Sequence, residues 1–299
     1  MNQSHRIDHR PFLVPPGKAI RLQAYSTNNT GDFKNKEDAN EALVQDKSNL
    51  AAMQDVFWAS KEFALVIIFQ ALDAAGKDGT IKHVMSGVNP QGVSVYSFKA
   101  PSEEERLRHF LWRPMRVLPA AGTIAIFNRS YYEEVLVVRV HPEFLESQWL
   151  PHKLRKESLD QIWESRYDDI NAFESALATK NTLFLKFFLH VSHDEQRRRF
   201  IARIDDSKKN WKFSLADLRE RGYWDAYQQA YEEMLNATST EAAPWYVIPA
   251  DKKWFARACV ADIVTAKLKS LDVHYPTLDE TQRQGLLEAK KQLESEEGD

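Results

Sequence analysis

The stretch that most limits what this chain can become is residues 63–79, FALVIIFQALDAAGKDG. Residues 64–69 are apolar, rich in Val and Ile, and show no polar alternation. Such a run predicts a strand covered on both faces, as in a parallel sheet between helices. A turn of small residues follows, Asp73-Ala74-Ala75-Gly76, and Lys77 opens a segment that can continue as a helix. Strand, Gly-Lys turn, helix is the layout of a phosphate-binding loop: backbone N–H groups and a helix N-terminus face an anion, and the lysine adds a point charge. The loop departs from the pattern G-x-x-x-x-G-K-[ST]. Ala71 stands at the first glycine position, and Asp78 replaces the hydroxyl that usually binds Mg²⁺. Read locally, a strand-to-helix turn with a solvated lysine stays open beside phosphate binding by Ala74, Ala75, Gly76, Lys77, Asp78 and Gly79.

A chain of 299 residues, 43% hydrophobic and 28% charged, has the balance of a globular protein with a sizeable core. Cys259 is the one cysteine, so no intrachain disulfide and no cysteine metal site can form. The first residues, MNQSHRIDHRPF, contain no apolar run of the kind a signal peptide needs. No stretch reaches the roughly 20 apolar residues of a membrane span, so the expected location is cytoplasmic, with no membrane partner. A formal net charge of -3 argues against a broad nucleic-acid surface, yet leaves room for a local basic channel.

Taken in order, residues 1–35 carry Pro11, Pro15, Pro16 and Gly17 and read as an extended arm lying on the body. Residues 36–61 fit an amphipathic helix with Leu43, Leu50, Met53 and Phe57 on one stripe. Further strands are expected at 93–98, 122–127, 182–189 and 245–249. Helices are expected from a capping box at Ser102 and Glu105 to Arg113, from 131 to 140, from 153 to 178, from 194 to 204 and from 250 to 271. A polar, aromatic segment at about 205–235 reads as a lid, with Trp211, Tyr223, Trp224 and Tyr227 packing it onto the body or stacking on a base. Residues 273–299 are a charged tail. Buried strands alternating with long helices make this an α/β domain over 36–272 with a largely parallel five-stranded sheet.

In such sheets ligands sit at the carboxyl ends of the strands. The groups found just after the strands are Asp73 and Lys77, then Lys99, then Asn128, Arg129 and Ser130, then His190 and an arginine-rich helix, then Asp251, Lys252 and Lys253. Cations and polar groups gather at nearly every strand end. Arg199 and Arg203 lie one helical turn apart, which costs a few tenths of a kcal/mol unless an anion or carboxylate lies between them. Glu195, four residues before Arg199, offers a salt bridge as the plain alternative. His141 and His190 could suggest a phosphohistidine, against the simpler reading of structural histidines.

Together ALDAAGKDGTIKHVMSGVNPQGVSVYSFKAPSEEE, FLWR, FNRSYYEEVLVVRVHP, KFFLHVSHDEQRRRF and IPADKKWFAR resemble the polyphosphate kinase type-2 family. The resemblance spans about 31–271 and includes GDFKNKEDA at its start. It implies a three-layer P-loop kinase-like fold, helices flanking the sheet and a helical lid, and transfer of a terminal phosphoryl group between inorganic polyphosphate and a nucleotide. That nucleotide is AMP, ADP or ATP, with GDP and GTP as further candidates. The family also implies Mg²⁺, with Mn²⁺ as a substitute, and a homo-oligomer. Carried residue by residue, it assigns Asp73 to the metal, and Asp73, Lys77, Arg129, Arg199 and Arg203 to catalysis. Many relatives have Asp where this chain has Asn128. The phosphate track extends to Lys82, Ser130, Lys208 and Lys212, and nucleotide contacts fall to Lys99, Arg113, Asn128 and Glu133. Two rival functions stay open on the sequence: an ATP-dependent nucleotide or nucleoside kinase, and a polyphosphate-binding module without transfer.

Overall fold

Each of the apolar runs becomes a strand: β1 Ala64–Gln70, β2 Val93–Ser97, β3 Ile124–Asn128, β4 Thr182–His190 and β5 Trp245–Pro249. The computed structural model describes residues 7–151, 154 and 158–296. The strands form one sheet in the order β2-β3-β1-β4-β5, and every pairing is parallel. β1 is central and buried at all seven positions, as its unbroken hydrophobicity demands. β2 lies at an edge, which is why its side chains alternate and stay partly exposed. After β1 the chain runs out to β2 and returns to β3, then crosses to β4 and β5 on the other side. That reversal opens a crevice beyond the carboxyl end of β1.

Successive β1 residues point to opposite faces. Leu65, Ile67 and Phe69 enter one core with α1 Lys36–Ser60, α2 Lys77–Val84 and the last body helix, Lys253–Lys269. Val66 and Ile68 enter the other. α1 starts where the Asn35 side chain accepts from the Asp38 N–H. The Ser102–Glu105 capping box forms, but the expected helix to Arg113 is interrupted. α3 ends after Glu103–Arg106, and α4 is a separate turn, Trp112–Met115. The Arg106 carbonyl, which a continuing helix would need, accepts from the Trp149 N–H at 2.8 Å. Residues 131–140 likewise split into a 3-10 turn, Tyr131–Val135, and α5 Val137–Val140. The expected start of the next helix at 153 lies outside the described residues; α6 spans Leu159–Ala178 from a Ser158–Gln161 capping box.

α7 is His193–Asp205, α8 Leu215–Arg221 and α9 Trp224–Thr238. The expected lid at 205–235 divides here. The turn Asn210–Lys212 and α8 bury no residue, whereas α9 buries Tyr227, Ala230, Tyr231, Met234 and Leu235 and belongs to the body. α10 is the Lys253–Lys269 helix already named, and α11 Glu280–Glu296 buries nothing. The arm adds an antiparallel bridge between Leu13 and Tyr246 and covers the β5 edge, with Phe12 and Val14 buried.

Candidate active site at the strand ends

The turn after β1 reverses direction at Gly76, whose φ of +111° disfavours any side chain. It delivers Lys77 to the first position of α2, facing inward. The Lys77 ammonium is buried and donates to the Ala71 carbonyl at 2.6 Å. Burial holds its pKa below the usual lysine range, and nearby Arg129 adds to that. One of three N–H donors is therefore spent on the loop.

Arg129 follows β3 in the left-handed region, with φ +65°. That turn aims its guanidinium at Asp73, where Nη2 donates to Oδ1 at 2.8 Å, while Glu133 lies 3.9 Å from Nη1. Burial pushes the Glu133 carboxyl above the usual range, opposed by Arg129 and Lys77. Asn128 donates to Asp78 Oδ1 at 2.8 Å and so braces the far side of the loop. Oδ2 of Asp73 and of Asp78 has no partner among the described residues. No cluster of three or more His, Cys, Asp or Glu suited to a metal occurs among those residues. One or two carboxylates beside a phosphate loop fit Mg²⁺, which takes most of its ligands from water and substrate phosphates.

Arg199 is buried in α7 under the loop. Nε pairs with Glu195 at 2.8 Å, Nη1 donates to the Ala74 and Ala75 carbonyls at 3.1 and 2.6 Å, and Nη2 donates to the Ala250 and Asp251 carbonyls. The arginine expected to grip phosphate thus spends its fork on main-chain oxygens and fixes the loop against the end of β5. Arg203, one turn on, faces Asp217 of α8 at 3.8 Å and lines the open cleft.

Lys77, Lys99, Arg129, Arg203 and Lys212 converge on a cleft of about 950 Å³ over the loop. Its lining holds ten Lys or Arg side chains and three carboxylates among the described residues. Lys82 and Lys208 do not line it. Lys82 is five residues from Lys77, about 140° round the helix, and is exposed. In the tight turn at Asn210–Lys212, residues three apart eclipse, so Lys209 rather than Lys208 joins Lys212 on the cleft side. Sequence reasoning also missed Arg198 and, on α10, the role of Lys253 with Arg257. The last pair had a readable signal: two cations four apart on the helix after the fifth strand, repeating the spacing of Arg199 and Arg203.

A second cavity, about 260 Å³, meets the cleft at Lys99 and Arg129. Phe98, Phe110, Val138 and Phe144 give it apolar walls, and Glu133 lies at the shared end. Arg113, expected among the nucleotide contacts, is here, donating to the Lys99 carbonyl at 2.9 Å. Ser130 is buried and its Oγ accepts from the Tyr132 N–H, so it caps the 3-10 turn. His141 bonds Glu220 of α8 at 3.0 Å and joins the lid to the body.

Residues 33–276 match the family model described as Polyphosphate kinase 2 (PPK2). The chain belongs to the polyphosphate kinase 2 family. It is 46% identical to the ADP-polyphosphate phosphotransferase of Rhodopseudomonas palustris over 96% of this chain and 99% of that one. It is 42% identical to the AMP/ADP-polyphosphate phosphotransferase of Meiothermus ruber, covering 89% and 95%. The crystal structure of polyphosphate kinase 2 from Arthrobacter aurescens superposes with a TM-score of 0.82 at 38% identity, covering 92% of this chain and 94% of that one. As a polyphosphate kinase 2, the chain is an α/β kinase, and its basic cleft lies at the carboxyl ends of the strands. Among the described residues no helix is long and apolar enough to cross a membrane.

Proposed function

We propose that this chain moves a terminal phosphoryl group between inorganic polyphosphate and a nucleotide, AMP or ADP, with guanine nucleotides as poorer acceptors. The observation that carries this reading is the meeting of two unlike compartments at Arg129: a strongly cationic cleft and a largely apolar cavity. The first suits a polyanion with no base. The second suits a nucleoside.

An acceptor phosphate is already largely ionised near neutral pH, because its second pKa is about 6. A general base has little to remove, so the barrier lies in bringing two anions into line. Lys77 and the loop amides hold the phosphates around the bond that breaks. Arg129 releases Asp73 to reach the migrating group, while Glu133 keeps its guanidinium oriented. Arg203, Lys209, Lys212, Lys253 and Arg257 carry the polyphosphate chain. Asp73, with Asp78 beside it, would hold Mg²⁺, which supplies charge neutralisation on the phosphates. Arg199 acts before any substrate arrives by setting the loop's shape. The proposed setting is the cytoplasm, where a lone buried thiol such as Cys259 stays reduced, and the proposed assembly is a homo-oligomer.

The deciding experiment incubates the purified protein with Mg²⁺ and ADP or AMP, using polyphosphate or ATP as donor, and resolves the products by chromatography. Transfer from polyphosphate supports the reading. Transfer from ATP alone makes the chain an ordinary nucleotide kinase, and tight polyphosphate binding without transfer makes it a binding module.

A further inference from the structure

The apolar cavity continues past its walls into a smaller one of about 120 Å³, and Glu134 and Gln148 line both. These two side chains are not loose. Arg166 donates from Nη1 to the Glu134 carbonyl at 2.6 Å and to Glu134 Oε2 at 3.1 Å, and from Nη2 to Gln148 Oε1 at 2.6 Å. Gln148 Nε2 in turn donates to Glu134 Oε2 at 2.8 Å. The Arg166 side chain is 6% exposed and lies over the rings of Phe110 and Trp163. A guanidinium can only donate, so the Gln148 amide has one orientation: oxygen to Arg166, nitrogen to Glu134. Two groups remain without a partner among the described residues: Glu134 Oε1, an acceptor, and the second Gln148 N–H, a donor. The side chains that carry them are hydrogen-bonded to each other and line both cavities.

We infer that Glu134 Oε1 and the free Gln148 N–H form a base-reading edge, which selects a base offering an N–H donor next to a ring-nitrogen acceptor. Adenine presents that pair: its 6-amino group donates to Glu134 and N1 accepts from Gln148. Hypoxanthine places an oxygen where the amino group stands, and in that register the oxygen faces a carboxylate. The inference rests on the reading that this cavity takes the acceptor nucleoside. Arg166 touches no base; it is a positioning residue that fixes both readers. A hydrogen bond to a charged group carries about tenfold or more in discrimination.

The test measures kcat/KM for ADP and for IDP with polyphosphate as donor, in wild type, Glu134→Gln and Gln148→Met. Glu134→Gln keeps the shape and can turn an N–H toward the 6-oxo group; Arg166 retains the main-chain oxygen of residue 134 and Gln148. The wild type is expected to favour ADP at least tenfold, and Glu134→Gln to lower that ratio about tenfold. Gln148→Met is expected to weaken ADP without raising IDP. Photolabelling with 8-azido-ADP is run beside it, with label expected on peptides carrying Phe110 or Phe144. Label there together with a wild-type ratio near one, or a ratio unchanged in both variants, overturns the base-reading edge alone. Label elsewhere overturns the nucleoside reading of the cavity and the inference with it.

Discussion

Arg199 donates to five acceptors from three different segments: Glu195 on its own helix, Ala74 and Ala75 in the loop, Ala250 and Asp251 after β5. Removing the side chain leaves buried carbonyls without this donor, while Glu195 keeps only Arg198. Arg199→Ala is therefore expected to lower unfolding free energy by about 3–5 kcal/mol in urea titrations, with Arg199→Lys recovering only part of it because an ammonium cannot span the fork. Lys77→Ala and Arg203→Ala, with folding intact by circular dichroism, are expected to cut turnover by orders of magnitude. His190 makes a different prediction. Burial holds its pKa down at about 4, against an ordinary value of 6.5, with Asp251 opposing. As pH falls from about 6.5 to about 4, the unfolded chain binds a proton that the folded chain excludes. Stability therefore falls over that window, by about 3 kcal/mol. His190→Gln is expected to flatten that slope, read from unfolding curves at several pH values; an unchanged slope would refute it.

The elements behind the site are held by a buried ion pair. Lys186 of β4 and Glu174 of α6 are fully enclosed, with Nζ 2.6 Å from Oε2, and both Tyr131 and Tyr132 donate to Glu174 Oε1. Lys186 also donates to the Tyr132 hydroxyl and the Thr238 carbonyl. This network anchors the turn that follows Arg129, and with it the aim of that guanidinium. Lys186→Met leaves a buried carboxylate without its counter-charge and is expected to cost about 3–5 kcal/mol, while Lys186→Met with Glu174→Leu regains much of it. A double-mutant cycle by chemical denaturation checks this. The strands were legible because β1 and β3 are apolar over almost their whole length and β4 is broken only by Lys186, and the loop because small residues and Gly-Lys follow β1 closely. The break in the helix after Arg106 was not, because nothing local marks a carbonyl that Trp149, more than forty residues on, will occupy.

At the scale of the molecule, a chain of net charge -3 collects ten cations against three carboxylates in one cleft. Burial, with Arg199 close by, lowers the pKa of Lys253 and of Arg257, the direction expected where cations crowd without enough counter-charge. A polyanion relieves that repulsion. The KM for polyphosphate is therefore expected to rise steeply between 50 mM and 500 mM salt, since the Debye length shrinks from about 14 Å to about 4 Å, while the KM for the nucleotide moves less. Lys253→Ala with Arg257→Ala is expected to raise the KM for long chains several-fold and for short ones little, measured across a length series. Equal effects at all lengths would remove α10 from the track.

Residue order alone dictates that the cations share one edge. Four apolar strands and one alternating edge strand, joined by helices into a parallel sheet, all end on the same side, and Lys, Arg or Asn stands at each end or in the segment that follows it. Order also dictates the bend at Gly76 and the lysine behind it. What each cation then does depends on partners brought from elsewhere. Arg199 turns inward because the Ala250 and Asp251 carbonyls arrive beneath it, and Arg113 stays at the apolar cavity because its acceptor is the Lys99 carbonyl. Glu134 and Gln148 become a matched pair because Arg166 lies between them. Hydrogen-bond partners distant in the chain set these directions, and their positions exist only once the layers have packed.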